Sequence, residues 1–139
     1  MQVNIRQCMP CDKEAVVALW KKVLYSDKWY NRPDASFDLK MKQGDDLFFI
    51  AVDVEIVVGT VIAGFDGHRG WLYSLAVDVA YKKRGIGSML VRTALDKLKQ
   101  LGCLKVNIQI TGNNRPVVDF YNKIGFIVED RISMGKILY

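Results

Sequence analysis

The chain has 139 residues, of which 50% are hydrophobic and 25% are charged, and its formal net charge at pH 7 is +5. This length and composition fit one globular domain and leave no room for a second hydrophobic core. No apolar run approaches the ~20 residues that span a bilayer, and the first residues alternate like a strand without the apolar block of a signal peptide. We therefore expect a cytoplasmic protein with a single domain over residues 1–139 and no membrane partner.

The spacing of apolar residues predicts a series of strands and helices. Asp12 is predicted to cap the first helix, and Trp20 falls on the apolar stripe of that helix, so we interpret it as a packing residue. Gly44 and Gly102 are predicted to end helices. In chain order the predicted elements are a strand over Val3–Arg6, helices over 13–25 and 35–43, strands over Leu47–Asp53, Ile56–Phe65 and Trp71–Val77, a helix over Ser88–Leu101, a strand over Val106–Ile110, a helix ending at Lys123, and strands over Phe126–Val128 and Arg131–Leu138.

Three cysteines are too few for a disulfide framework. Cys8 and Cys11 have the spacing of half a zinc site, but the chain has no second cysteine pair, and His68 is its only histidine. We therefore predict reduced thiols and no metal. A redox Cys-x-x-Cys pair is the alternative, because Cys11 precedes a predicted helix.

The turn between the strand ending at Val77 and the next helix predicts an anion site. Three cations, Lys82–Arg84, are followed by Gly85 and Gly87. Without side chains, the glycines let a phosphate approach main-chain N–H groups at a helix start, where up to four donors lack intrahelical acceptors. The third glycine of the dinucleotide fingerprint and the nucleotide P-loop are both absent from the sequence. A strand–turn–helix joint with a solvated basic edge is the alternative interpretation.

The positive charge is concentrated at this turn and behind it. Residues 82–105 hold seven cations against one anion, a balance of +6 that leaves −1 for the rest of the chain. This concentration would steer a polyanionic ligand toward the turn. Nucleic acid is one such polyanion, but the sequence has no aromatic-laced basic surface and no recognition motif for it, so we predict no nucleic-acid partner.

Two segments resemble signatures of the GNAT family of N-acetyltransferases. The first is Lys82-x-x-Gly85-x-Gly87, which resembles the family's Arg/Gln-x-x-Gly-x-Gly/Ala loop, with Lys82 as a departure. The second, from Asn114 to Phe126, resembles the Asn-x-x-Ala-x-x-x-Tyr-x-x-x-Gly-Phe segment. The resemblance, which is to small single-domain bacterial members, implies an α/β (α+β) mixed sheet with the order β-α-α-β-β-β-α-β-α-β-β. It also implies acetyl-CoA as co-substrate and a primary amine as acceptor.

The resemblance assigns roles to particular residues. The loop would cradle the coenzyme pyrophosphate, the strand before it would pair its main chain with the pantetheine, and a main-chain N–H there would stabilise an oxyanion. Asn114 would hold the coenzyme, and Tyr121 would protonate the departing thiolate. The implied coenzyme-binding residues are Leu75, Ala76, Val77, Lys82, Lys83, Arg84, Gly85, Ile86, Gly87, Ser88 and Asn114. The candidate acceptor contacts, from the loop between the first two helices, are Trp29, Tyr30 and Arg32.

The general base stays unassigned. Many relatives place a glutamate on the strand before the loop, where this chain has residues 71–74, Trp-Leu-Tyr-Ser. Water relayed past Ser74 or Tyr73, or an acid from the 26–34 loop, would serve, whereas His68 is predicted to be a solvated turn residue. The missing carboxylate leaves a second hypothesis, a catalytically silent acyl-CoA-binding module on the same fold. The sequence is consistent with a monomer or a homodimer.

Overall fold

Two neighbouring strands with almost continuously apolar sequences form the centre of the fold. They are β2 (Phe48–Asp53) and β3 (Ile56–Phe65), and residues 48–52 and 58–63 are buried one after another. A strand that is buried on both of its faces needs a layer of structure on each side of the sheet. The computed structural model, which describes residues 2–139, has helices on both faces.

The strands form one five-stranded sheet in the order β1-β2-β3-β4-β5. Neighbours from β1 to β4 are antiparallel, and β4 and β5 are parallel. The remaining elements are β1 (Val3–Gln7), α1 (Lys13–Val23), α2 (Pro33–Gln43), β4 (Gly70–Val77), α3 (Ile86–Gln100), β5 (Val106–Asn107) and α4 (Arg115–Lys123). This confirms the mixed α/β class.

The chain divides into two compact units. Met1–Ile108 contains the whole sheet with α1, α2 and α3, and Gln109–Tyr139 contains α4. No helix within the described residues combines the length and apolar character needed to cross a bilayer. The prediction of a single domain over residues 1–139 stays a prediction.

Successive residues of β3 show which helix covers each face of the sheet. A Cβ added at Gly59 would lie 2.9 Å from Leu90 Cδ1 on α3, whereas the next side chain, Thr60, contacts Trp20 on α1. Because successive residues of a strand point to opposite faces, α1 and α3 cover opposite faces of the sheet. On the α1 face, Trp20 stacks on Phe48 with 5.6 Å between the ring centroids.

Two local predictions need correction. Asp12 is the N-cap residue of α1, as predicted, but its side chain makes no hydrogen bond to the first turn; instead it accepts from the Met9 N–H at 2.8 Å and pairs with both terminal nitrogens of Arg6 at 2.9 Å. Residues 126–139, predicted to contain two strands, form none. A strand needs a paired neighbour for its N–H and C=O groups, and the described residues provide no such ladder for this segment.

Candidate active site

The strand β4 is interrupted by a bulge just before the glycine loop. Thr60 pairs with Ala76 and Ile62 pairs with Tyr73, so Ser74 and Leu75 together face Val61 alone. Ser74 has φ +52°, a left-handed conformation that is uncommon for residues other than glycine. A bulge leaves one residue unpaired and bends its strand, so the main chain at Ser74–Leu75 departs from the regular ladder.

Beyond its first two residues, β4 has a strand on one side only. Gly70 and Trp71 pair with Val106 and Asn107 of β5, and the parallel ladder then stops. The predicted pantetheine-binding residues, Leu75–Val77, lie on the part of β4 that pairs only with β3 within the described residues. Their outer main-chain edge is therefore the kind of surface that an extended ligand binds by strand-like hydrogen bonds.

The glycine loop presents donors to its surroundings. Lys83 and Gly85 both have left-handed backbone, with φ +62° and +78°, which folds the loop tightly before α3 begins at Ile86. The Gly85 conformation suits a residue without a Cβ atom. Among the hydrogen bonds of residues 2–139, none uses the N–H of Gly85, Ile86, Gly87 or Ser88, and the first α3-type bond runs from the Met89 N–H to the Gly85 carbonyl at 3.0 Å.

These four N–H groups are the chemical basis of an anion site. They combine at one helix start with the partial positive charge of the helix dipole. The three cations before them, Lys82–Arg84, are all exposed. The loop can therefore receive an anion through main-chain groups, with cations at its edge.

The loop is held in place from the sheet side. The Tyr81 hydroxyl donates to Asp53 Oδ2 at 2.7 Å, and this bond is the largest influence that holds the pKa of the Asp53 carboxyl below its ordinary value. The Arg84 guanidinium lies over the Tyr81 ring, 5.4 Å from its centroid. Asp78 caps the 3-10 turn Val79–Tyr81 by accepting from the Ala80 N–H at 3.0 Å. The loop is thus fixed to the carboxyl end of β2.

The second predicted segment lies in the unit Gln109–Tyr139. Asn114 is the residue before α4, and its side chain makes no capping hydrogen bond there. Tyr121 is buried, and its ring packs edge-on against Phe120 and Phe126, with centroids 5.0 and 5.2 Å away. Burial raises the pKa of Tyr121 to about 12. The phenol is therefore a protonated group in an aromatic setting.

The candidate acceptor residues lie in and beside a 3-10 turn, Trp29–Asn31. The Trp29 and Tyr30 rings meet edge to face at 5.7 Å and are about half exposed. Arg32 pairs with Asp34 at 3.0 Å, so its guanidinium already has an anionic partner. His68, as predicted, lies in an exposed turn, where its main-chain N–H donates to Asp66 Oδ1.

Sequence reasoning missed two features of β4. One is a stacked pair, Trp71 and Tyr73, with ring centroids 6.4 Å apart; its signal was two aromatics at strand spacing. The other is a buried chain of hydrogen bonds from Trp20 through Thr60 to Ser74. A polar threonine inside the apolar run of β3 was the only signal for it.

Comparisons with known proteins show which family and fold this chain shares. The family model described as "Acetyltransferase (GNAT) family" matches residues 14–126. An acetyltransferase of Sodalis glossinidius (strain morsitans) is 35% identical over 135 residues, which covers 96% of this chain and 94% of that protein.

Solved structures share the fold at low sequence identity. The PaiA N-acetyltransferase of Thermoplasma acidophilum, solved in complex with coenzyme A, has a TM-score of 0.80 at 23% identity and covers 95% of this chain and 94% of its own. The aminoglycoside N-acetyltransferase AAC(6')-Iy, solved in complex with CoA, has a TM-score of 0.81 at 17% identity and covers 99% of this chain and 96% of its own.

Proposed function

Because this chain belongs to the GNAT family of acetyltransferases, we propose that it transfers the acetyl group of acetyl-CoA directly to a primary amine. One observation carries the proposal: four N–H groups, those of Gly85–Ser88, converge at the start of α3 without an acceptor among the described residues. They support the binding of the coenzyme diphosphate, with Lys82, Lys83 and Arg84 beside it and Asn114 as a further contact.

The main chain of β4 supports the orientation of the thioester. Leu75, Ala76 and Val77 offer an edge for the pantetheine, and a main-chain N–H near the bulge would stabilise the negative charge that develops on the carbonyl oxygen. When bound, acetyl-CoA supplies an activated acyl group. Trp29, Tyr30 and Arg32 are the proposed acceptor contacts.

The proton transfers complete the reaction. The amine nitrogen forms a bond to the acetyl carbon, loses a proton to water or a base, and the bond from carbon to sulfur breaks. The sulfur leaves as a thiolate whose ordinary pKa is about 8.5, and we assign the Tyr121 hydroxyl as the group that protonates it. Tyr73 carries the only titratable side chain of β4, so solvent water is the proposed first proton acceptor.

The loop assignment is tested by placing a negative charge among the four N–H groups. We expect Gly87→Asp to weaken CoA binding by about 10- to 100-fold, because like charges at a contact cost several kcal/mol, while the new carboxylate favours the helix start. Calorimetric titration measures the affinity, and thermal unfolding checks that α3 persists.

The matched control adds the same charge at the other end of the same helix. Gln100 is exposed in the last turn of α3, about 20 Å along the axis from Gly87, which is beyond the Debye length at physiological salt. Gln100→Glu should bind CoA like the parent. Equal affinities for all three proteins would remove the basis of the proposal.

A catalytically silent acyl-CoA-binding module is the second candidate, favoured by the absence of a carboxylate on Gly70–Val77. Release of the CoA thiol in the presence of polyamines, aminoglycosides, amino acids and peptide N-termini distinguishes the two. An enzyme releases thiol with at least one amine class. A silent module binds CoA and releases none.

A further inference from the structure

A buried chain of hydrogen bonds connects α1 to the bulge of β4. Trp20 Nε1–H donates to Thr60 Oγ1 at 2.8 Å, and the Thr60 hydroxyl donates to the Ser74 carbonyl oxygen, also at 2.8 Å. Trp20 is 3% exposed and Thr60 is fully buried. The single hydroxyl proton of Thr60 is used toward Ser74, so the direction of both bonds is fixed by the indole, which can only donate.

This series of hydrogen bonds ends at Ser74, whose backbone conformation is unusual for a strand. Ser74 has left-handed backbone within a strand, and such residues persist only where the surrounding structure determines them strongly. Thr60 lies opposite Ala76 in the ladder, next to the point where the register shifts. The Thr60 hydroxyl therefore donates to the Ser74 carbonyl, which lies in the bulge where the regular ladder is interrupted.

We propose that Trp20 and Thr60 are positioning residues that hold the Ser74 peptide so that the β4 main chain is aimed at the thioester carbonyl. This inference rests on the proposed function. Neither side chain touches the reacting atoms; they act through the backbone of Ser74–Leu75. Stabilisation of an oxyanion depends on donors that are in place before the reaction. The two hydrogen bonds, from Trp20 to Thr60 and from Thr60 to Ser74, would hold the peptide in place.

The effect of these two hydrogen bonds on binding of the acetyl group can be measured separately from binding of the rest of the coenzyme. CoA without its acetyl group has no thioester carbonyl for the bulge to contact, and its diphosphate would bind at the glycine loop. The ratio of the two dissociation constants, for CoA and for acetyl-CoA, therefore reports on the bulge alone. A purely structural role of Thr60 would lower the unfolding temperature without changing this ratio.

The test uses Thr60→Val, which keeps the shape of the side chain and removes both hydrogen bonds. We expect kcat to fall by about 10- to 100-fold, less than the 10²- to 10³-fold loss of a whole oxyanion donor. CoA affinity should stay within about twofold, while acetyl-CoA loses its advantage over CoA. Thr60→Ser, which keeps the hydroxyl, should restore most of both quantities.

Two further variants keep the result decisive. Trp20→Phe removes only the far hydrogen bond and keeps an aromatic ring beside Phe48, so it should give an intermediate loss of kcat even if Thr60→Val folds poorly. Thr93→Val is the matched control, because its hydroxyl donates within α3 to the Met89 carbonyl at 2.9 Å and should leave kcat unchanged.

Folded Thr60→Val or Trp20→Phe protein with the parental kcat and the parental ratio of dissociation constants would overturn the inference while leaving the proposed function intact. A parent protein that binds neither CoA nor acetyl-CoA would overturn both.

Discussion

Tyr121 shows how one buried side chain limits the chemistry that it can perform. Its hydroxyl belongs to a ring enclosed by Phe120 and Phe126, and burial raises its pKa to about 12. The phenol is therefore protonated over the whole neutral and mildly alkaline range, as a proton donor must be. The same shift makes it a weak acid relative to a thiol of pKa about 8.5, so full proton transfer from the phenol to the thiolate is uphill at that pKa.

We predict that Tyr121→Phe lowers kcat by about 10²-fold, the low end of the range for general acid catalysis, because the acid is poorly matched to its leaving group. CoA affinity should be unchanged, since the substitution removes only the hydroxyl. Steady-state kinetics with calorimetric titration measures both. Parental turnover in the variant would exclude the acid role, whereas a loss of wild-type activity near pH 10 that disappears in Tyr121→Phe would keep the acid role and contradict the pKa of about 12.

The stabilities of the parent protein and Tyr121→Phe at high pH provide a separate check on the pKa of Tyr121. The phenol ionises at about pH 10 in the unfolded chain and at about 12 in the folded chain, so its contribution is fully present below pH 10 and is lost as the pH rises to 12. The slope is at most about 1.4 kcal/mol per pH unit. As the pH rises from 10 to 12, Tyr121→Phe should therefore lose stability less steeply than the parent protein. Cys8, whose pKa burial also raises to about 12, is present in both proteins.

At the scale of elements, contacts between glycine backbone and neighbouring side chains set the position of α3 and β5 on the sheet. A Cβ atom at Gly70 would lie 2.8 Å from Cys103 Sγ, 3.1 Å from Val106 Cγ2 and 3.2 Å from Leu98 Cδ1. We predict that Gly70→Ala costs about 1–3 kcal/mol, as overpacking does in other cores. Urea unfolding measures the loss.

Gly64 on β3 is the matched control for Gly70→Ala. A Cβ atom there meets no heavy atom within 4 Å, so Gly64→Ala should leave stability unchanged or raise it by up to about 1 kcal/mol, through the unfolded state. A Gly70→Ala variant as stable as Gly64→Ala would contradict the packing argument.

The elements also show what a sequence reveals and what it does not. Gly44 and Gly102 end their helices with left-handed backbone, which is a local property and was therefore predictable. The left-handed Ser74 was not, because serine is no signal for that conformation and its hydrogen bond comes from Thr60, 14 positions away along the chain. Trp20 was predicted to pack, and it does; its donation to Thr60 depends on the tertiary fold.

The two strands predicted after Gly125 fail for a related reason. Alternation of apolar residues describes a segment that is able to pair, and pairing itself requires a neighbouring strand edge. Ile132 and Met134, which alternate as a strand would require, are each about 90% exposed. The order of strand, turn and helix around Gly85 was predicted correctly, because a turn before an amphipathic helix is encoded within a few residues; α3 begins two residues earlier than predicted, at Ile86, and includes Gly87.

At the scale of the molecule, the charge is unevenly placed. Residues 82–105 carry a balance of +6 in a chain of net charge +5, and Lys82, Lys83, Arg92 and Lys99 are exposed. Exposed charges attract a polyanion over distances that salt shortens, from a Debye length of about 10 Å at 0.1 M to about 3 Å at 1 M. The coenzyme should therefore bind less tightly as the salt concentration rises.

We predict that the dissociation constant for acetyl-CoA increases steadily between 50 and 500 mM sodium chloride, measured by calorimetric titration. Acetyl-pantetheine, which has the thioester but no phosphate, serves as the comparison ligand and should show little dependence on salt. The same salt dependence for both ligands would mean that the basic segment does not contribute through phosphate.

The ladder between β4 and β5 stops after two residue pairs, and this has a consequence for the protein without a bound ligand. After Trp71, β4 pairs only with β3 within the described residues, so one of its main-chain edges is open, and unprotected strand edges invite other chains to add themselves. A ligand that lies along this edge behaves like a missing strand. A coenzyme bound along this edge would then also protect the protein from self-association.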